Sequence, residues 1–152
     1  LPVRHITKSD PTGAHCMKVE NCCAVNAISE NGVDPHKTCY RHQVIETTNA
    51  VAKLAGVKPG KFGLSFQSRL GRAEWLKPMT SEFIAELPKK GIRKIALIAP
   101  AFVADNLETL EEANMQLRDI FLSAGGEKFT YIPCLNDDTD WAKGFAQLLG
   151  SN

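Results

Sequence analysis

Four of the chain's five cysteines fall between residues 16 and 39. Cys16, Cys22, Cys23 and Cys39 are separated by five, no and fifteen residues. Thiolates are ligands of zinc and of iron–sulfur clusters. Four thiols in so short a stretch point to a metal role more readily than to unrelated surface cysteines. The spacing matches neither a zinc knuckle nor a plant-type ferredoxin, so it does not name the metal. A disulfide framework fits poorly. Adjacent Cys22 and Cys23 have Cα atoms about 3.8 Å apart across a trans peptide, below the usual disulfide range. A chain of 152 residues also needs no such staple, and the reading that follows is a reducing compartment. Cys134, beside Pro133 on an apolar run, reads as a buried, inert thiol.

Carboxylates make the second group: Asp105, Glu108, Glu111 and Glu112. Glu108 and Glu112 are four apart and share a helix face. A pair stacked there could accept protons or pass on a divalent cation. Spacing alone favours a structural use: Asp105 as N-cap, Glu108 completing a capping-box pattern, and first-turn acids favouring the helix dipole. Trp75 reads as a packing anchor or a ligand platform. Gln67 and Ser68 are polar groups at a strand end. Arg69 and Arg72 are solvated cations or carboxylate clamps.

The elements that must position these residues follow from periodicity. Residues 1–38 read as irregular, with Asp10-Pro11, Gly13, Asn31-Gly32 and Asp34-Pro35 as turn signals. A helix is expected over residues 40–56, with Val44, Val51 and Leu54 among its apolar positions and Gly56 as its stop. Then come a strand at 61–68, a helix from about Ser81, a nearly continuous apolar strand at 93–102 of the kind covered on both faces, a long helix ending at Gly125-Gly126, a strand at 128–135 and a final helix. This alternation predicts an α/β domain, a three-layer αβα arrangement around a parallel sheet of about four strands. The first of these strands is expected just before Leu1. The irregular segment 1–38 and the α/β region 39–152 are the expected divisions.

Bulk properties narrow the function. The formal net charge is +1, which gives no support to nucleic-acid binding. No Walker or Gly-x-Gly-x-x-Gly loop follows a strand. No apolar run reaches transmembrane length and no signal-type leader opens the chain. The abrupt start at "LPVRH", without Met, is expected of a piece of a longer protein.

The strand-end segments "FGLSFQSRLGRAEWLKP" and "APAFVADNLETLEE" resemble the ferrochelatase family, enzymes that insert ferrous iron into a porphyrin. The opening "LP" is similar to the end of that family's Ser-x-His-Gly-x-Pro motif, whose His would stand two residues before Leu1. The resemblance runs over nearly the whole chain and implies the C-terminal of two α/β halves around a porphyrin cleft. It implies roles residue by residue. Glu108 would be the acidic residue facing the porphyrin and Glu112 would continue an acidic track. Trp75 and Leu70 would line the porphyrin pocket, with Gln67 and Ser68 at its strand end. Asn106 stands where many members have a His, and Gln116 where an acid often extends the track.

"CMKVENCC" with "TCYRHQ" resembles a bacterial subgroup carrying a [2Fe–2S] cluster on a cysteine insertion. On that resemblance Cys16, Cys22, Cys23 and Cys39 are the cluster ligands. The implied partners are porphyrin, Fe²⁺ as substrate and the N-terminal half of the same enzyme. A cytoplasmic location, with peripheral membrane contact, is the accompanying expectation. The isolated piece, lacking the His, is expected to be inactive. Two other readings carry forward: a related chelatase with another metal or tetrapyrrole, and a non-catalytic domain that binds a cluster or tetrapyrrole.

Overall fold

The computed structural model describes residues 1–24, 28 and 31–150. Residues 25–27, 29 and 30, part of the cysteine-rich stretch, lie outside the described residues, as do 151 and 152. The chain divides into two compact units, Leu1–Thr80 and Ser81–Asn152.

The first unit begins with a helix where irregular chain was expected. Helix α1 spans Val3–Ser9 and buries Ile6. It escapes sequence detection because seven residues with one buried position and no capping side chain carry almost no periodic signal. It stops at Asp10, which is held extended (φ −75°, ψ 108°) because the following Pro11 disfavours helical geometry there. An antiparallel bridge pairs Pro2 with Trp75, with Val3 N–H donating to Glu74 O at 2.8 Å and Leu76 N–H to Leu1 O at 3.2 Å.

Helix α2 spans Tyr40–Leu54. It ends as the sequence predicts: Val57 N–H donates to Ala52 O and Gly56 N–H to Lys53 O, with Gly56 at φ +68°. That is the double-bonded Schellman terminus, and its left-handed residue favours glycine. Leu54, expected among the apolar positions, is 89% exposed. The expected strand at 61–68 is irregular chain with a single parallel bridge, Phe66 to Met79. Phe66 N–H donates to Pro78 O and Phe66 O accepts from Thr80 N–H, and Pro78 has no N–H to continue a ladder. The core of this unit joins Ile6, Cys16, Cys39, Phe66 and Leu76, with Val3, Val44 and Leu64 packed on it.

Helix α3 (Thr80–Glu86) leads into the second unit and is followed by a 3-10 turn, Pro88–Lys90, closed by Gly91 at φ +81°. Strands β1 (Lys94–Ile98) and β2 (Lys128–Ile132) pair in parallel from Lys94↔Lys128 to Ile98↔Ile132. Their crossover is a π-helical stretch, Glu108–Gln116, continuing into helix α4 (Leu117–Ser123). The last helix, α5, spans Thr139–Gly150. Asp138 Oδ1 caps it, accepting from the N–H groups of Asp140 and Trp141.

The α/β class and the parallel sheet therefore hold. Among the described residues the sheet has two strands rather than about four. Both are shorter than expected. β2 stops at Pro133, which cannot donate to a ladder, and β1 stops just before Ala99-Pro100. Burial is one-sided rather than two-sided. Phe129 is buried, and Ile95, Leu97 and Tyr131 are partly buried, while Ala96, Ile98, Thr130 and Ile132 are exposed. The covered face packs on Ile84, Ala113, Leu117 and Phe121.

Helix α4 ends on a second Schellman motif, with Gly125 N–H bonded to Leu122 O and Gly126 N–H to Phe121 O. A Cβ on Gly126 would collide with the ring of Phe121, which is completely buried. Gly126→Ala is expected to destabilise the protein by about 1–3 kcal/mol through overpacking. Thermal unfolding of the variant against the wild type measures this loss.

Candidate thiol and carboxylate sites

The thiol site is assembled from three segments of the first unit. Cys16 follows the turn after α1, Cys22 and Cys23 end a tight loop, and Cys39 immediately precedes α2. Cys16, Cys22 and Cys39 are each no more than 3% exposed, and all five cysteines are free thiols. The thiols form two close pairs: Cys16 lies within hydrogen-bonding reach of Cys39, and Cys23 of Cys22. Burial, then the neighbouring thiols and Asp10, push the Cys16 thiol well above its ordinary value. Burial also raises Cys23, opposed by the positive Arg41. Among the described residues, no three His, Cys, Asp or Glu side chains converge on one point as a single-ion site.

Asp10 holds this loop. One carboxylate oxygen accepts from Thr12 N–H and Thr12 Oγ1, the other from the N–H groups of His15 and Cys16, all within 2.9 Å. Burial alone would raise its pKa. The bonds from Thr12, Cys16 and His15 outweigh that and hold it far below the usual carboxylate range. Sequence reading took Asp10-Pro11 only as a turn; Asp-x-Thr at the end of a helix was the available sign of a side chain bonding its own backbone. Met17 and Asn21 take left-handed φ values of 63° and 52°, and this curl lets Met17 N–H donate to Cys22 Sγ at 3.4 Å.

The segment proposed for ligand contact keeps its four residues together. Trp75 is half-buried, and its Nε1–H donates to Leu70 O at 3.2 Å. Leu70 itself is 82% exposed. Gln67 and Ser68 precede it, with Ser68 at φ +72°. A non-glycine residue in that region costs on the order of 1 kcal/mol and tends to occur where function demands the geometry.

In the second unit the start of the acidic helix differs from the sequence expectation. Asn106, not Asp105, is the cap: its Oδ1 accepts from Glu108 N–H at 2.9 Å and Thr109 N–H at 3.3 Å. Thr109 Oγ1 accepts in return from Asn106 N–H at 2.8 Å. This reciprocal pair is a capping box built from Asn106 and Thr109. Glu108 therefore does not complete one, and its exposed carboxylate has no hydrogen bond or ion pair among the described residues. Glu112 is half-buried on the same helix. The π geometry shows in Leu117 N–H bonding back five residues to Glu112 O, and in Gln116 Nε2 reaching Glu111 Oε1, also five residues away.

Freed from capping, Asp105 becomes a junction. Oδ1 accepts from Tyr131 OH (2.9 Å) and Thr109 Oγ1 (3.0 Å). Oδ2 accepts from Asn136 Nδ2 (2.8 Å) and Cys134 N–H (3.2 Å), while Asp105 N–H donates to Asn136 Oδ1. The carboxylate thus ties the start of the π-helical stretch to the end of β2. Cys134 is partly exposed rather than buried, with Sγ 3.6 Å from Tyr131 OH.

The ferrochelatase family model matches residues 1–152. The chain belongs to the ferrochelatase family. It is 48% identical over 97% of its length to the ferrochelatase of Pseudomonas fluorescens strain Pf0-1, and 50% identical over 94% to that of Pseudomonas syringae pv. syringae. The ferrochelatase of Stutzerimonas stutzeri is 45% identical over 97% of the chain. The chain spans about two-fifths of the length of these relatives, 42%, 40% and 42% respectively. Within this ferrochelatase chain, Trp75, Leu70, Gln67 and Ser68 share one segment of the first unit, and Glu108 and Glu112 share one helix of the second.

Asp105 gives the second unit a pH signature. The bond from Asn136, then those from Tyr131, Thr109 and Cys134, prevail over desolvation and hold its carboxyl at about 2, below its ordinary 3.8. Because the folded value is depressed, ionised Asp105 stabilises the fold above about pH 4, and that contribution is lost as pH falls towards about 2. Asp105→Asn is expected to melt at a lower temperature at neutral pH. It should also show a shallower loss of stability than the wild type between about pH 4 and pH 2, read from unfolding curves of both proteins across that range.

Proposed function

We propose that the intact protein inserts Fe²⁺ into a porphyrin, with this chain supplying the acidic helix and one wall of the porphyrin site. The observation that carries the reading is the Asn106–Thr109 cap. It takes over the structural work that spacing assigns to Glu108 and leaves that carboxylate free for chemistry. A porphyrin sheds two pyrrole protons as it accepts a divalent metal, so a basic acceptor and an oxygen ligand near its face lower the barrier. Glu108 fills that role, and Glu112 continues the acidic track. Leu70 and Trp75 offer apolar surface to the macrocycle, with Gln67 and Ser68 as polar neighbours. The chain spans about two-fifths of its relatives' length, and the rest of the polypeptide would complete the cleft. The working location is the cytoplasm, with peripheral membrane contact.

Cys16, Cys22, Cys23 and Cys39 are the proposed holders of a [2Fe–2S] cluster. Two close thiol pairs support the assignment, since they would give each of two irons two protein ligands. When bound, such a cluster supplies a one-electron redox couple.

Glu108→Gln in the full-length protein is expected to cut iron insertion by about 10²-fold or more with little change in melting temperature. Retained turnover would return Glu108 to an ordinary surface role. For the cluster, full-length protein produced with iron is expected to contain about two iron and two sulfide per chain and to absorb in the visible. A colourless, iron-free and fully active enzyme would sink that assignment.

A further inference from the structure

Helix α2 begins with an electrostatic anomaly. Its first turn carries no acid, and Arg41 and His42 stand there instead. A cation at the positive end of a helix is unfavourable unless an anion faces it. What faces Arg41 is the Cys22–Cys23 pair: its Nη1 lies 3.5 Å from both sulfurs. The backbone of the same dipeptide is gripped by imidazoles. His15 Nε2 and His36 Nε2 each lie 2.7 Å from Cys22 O, and His42 Nδ1 lies 3.2 Å from Cys23 O. The His36 and His42 rings stack at 3.9 Å and 4°, and His15 meets His36 edge-on at 5.3 Å. The opposite pair has different surroundings: Cys16 N–H donates to the Asp10 carboxylate at 2.8 Å, which puts a negative charge beside that thiol.

We propose that Arg41 is a positioning residue for the Cys22–Cys23 half of the thiol site, holding both sulfurs with one guanidinium and placing a positive charge on that half alone. This rests on the cluster assignment above. Two sulfurs within 3.5 Å of one guanidinium nitrogen are held near each other, and the imidazoles hold the dipeptide that carries them. Charge-assisted donors to ligating sulfurs, and net charge around the cluster, raise a reduction potential. Arg41 therefore makes the bound centre easier to reduce, and slower to lose its iron, than four thiolates alone would.

The experiment compares full-length wild type, Arg41→Lys and Arg41→Gln, each produced with iron. Iron and sulfide content, visible spectrum, far-UV circular dichroism, reduction midpoint and the rate of bleaching by a strong iron chelator are measured. The expected result is native circular dichroism throughout, a midpoint shifted to lower potential in Arg41→Gln, bleaching several-fold faster, and intermediate behaviour in Arg41→Lys. Failure of Arg41→Gln to acquire a cluster while Arg41→Lys acquires one, both folded, would equally support the role. An unchanged midpoint and bleaching rate in Arg41→Gln would overturn it and leave the cluster assignment standing. Loss of native circular dichroism in both variants would also overturn it, making Arg41 a folding residue. Wild type without iron or sulfide would remove the cluster assignment, and this proposal with it.

Discussion

Irregular backbone must find partners for its N–H groups, and in each unit one aspartate beside the candidate site accepts several hydrogen bonds at once. A folded donor or acceptor left without water or a partner forfeits about 1–3 kcal/mol. Asp10 gathers three backbone N–H groups and a hydroxyl in a loop that has no ladder or helix of its own. Asp105 gathers one backbone N–H, two hydroxyls and an amide where a strand end meets a helix start. Both sit beside the chemistry, one against Cys16 and the other three residues from Glu108. A carboxylate suits the task because its two oxygens accept from several directions at once and bond more strongly than neutral acceptors.

The π-helical stretch shows how the same economy reaches the acidic residues. Bonding five residues back instead of four widens the turn, and such stretches are rare and frequently lie at functional sites. Here it spans Glu108 to Gln116 and therefore all three glutamates of the group. The cap at Asn106 and Thr109 and the Asp105 junction fix its start from two sides, which keeps an otherwise unfavourable helix in place. Buried Thr109 belongs to both networks.

How much of this was legible from sequence follows the range of the interactions. Helix stops were legible because a Schellman terminus is local chemistry, and Gly56 and Gly125 stand where it needs them. The parallel pairing of β1 and β2 was legible from apolar runs on either side of a long helix. The cap was misplaced by one residue because Asp105 and Asn106 are both capping residues. Only the long-range bonds to Tyr131 and Asn136 decide which is left over. The thiol site was legible as cysteines and not as a site: Asp10, Arg41 and three histidines reach it from positions with no common period. Segment 61–68 has a strand's composition, yet pairing depends on the partner, and Pro78 limits what that partner can do. One-sided burial of the sheet was likewise invisible, since Ile98 and Ile132 look the same in sequence whether covered or exposed.

Cys16 and Cys39 are core residues as well as ligand candidates, packed with Ile6, Phe66 and Leu76 at 1% exposure each. A reagent in solution meets them only when that core opens. Their rate of alkylation in the metal-free protein is thus the intrinsic thiol rate scaled down by an opening equilibrium. The unit carries its own clock for local unfolding, and the half-exposed thiols of Cys23 and Cys134 provide the reference against which it runs.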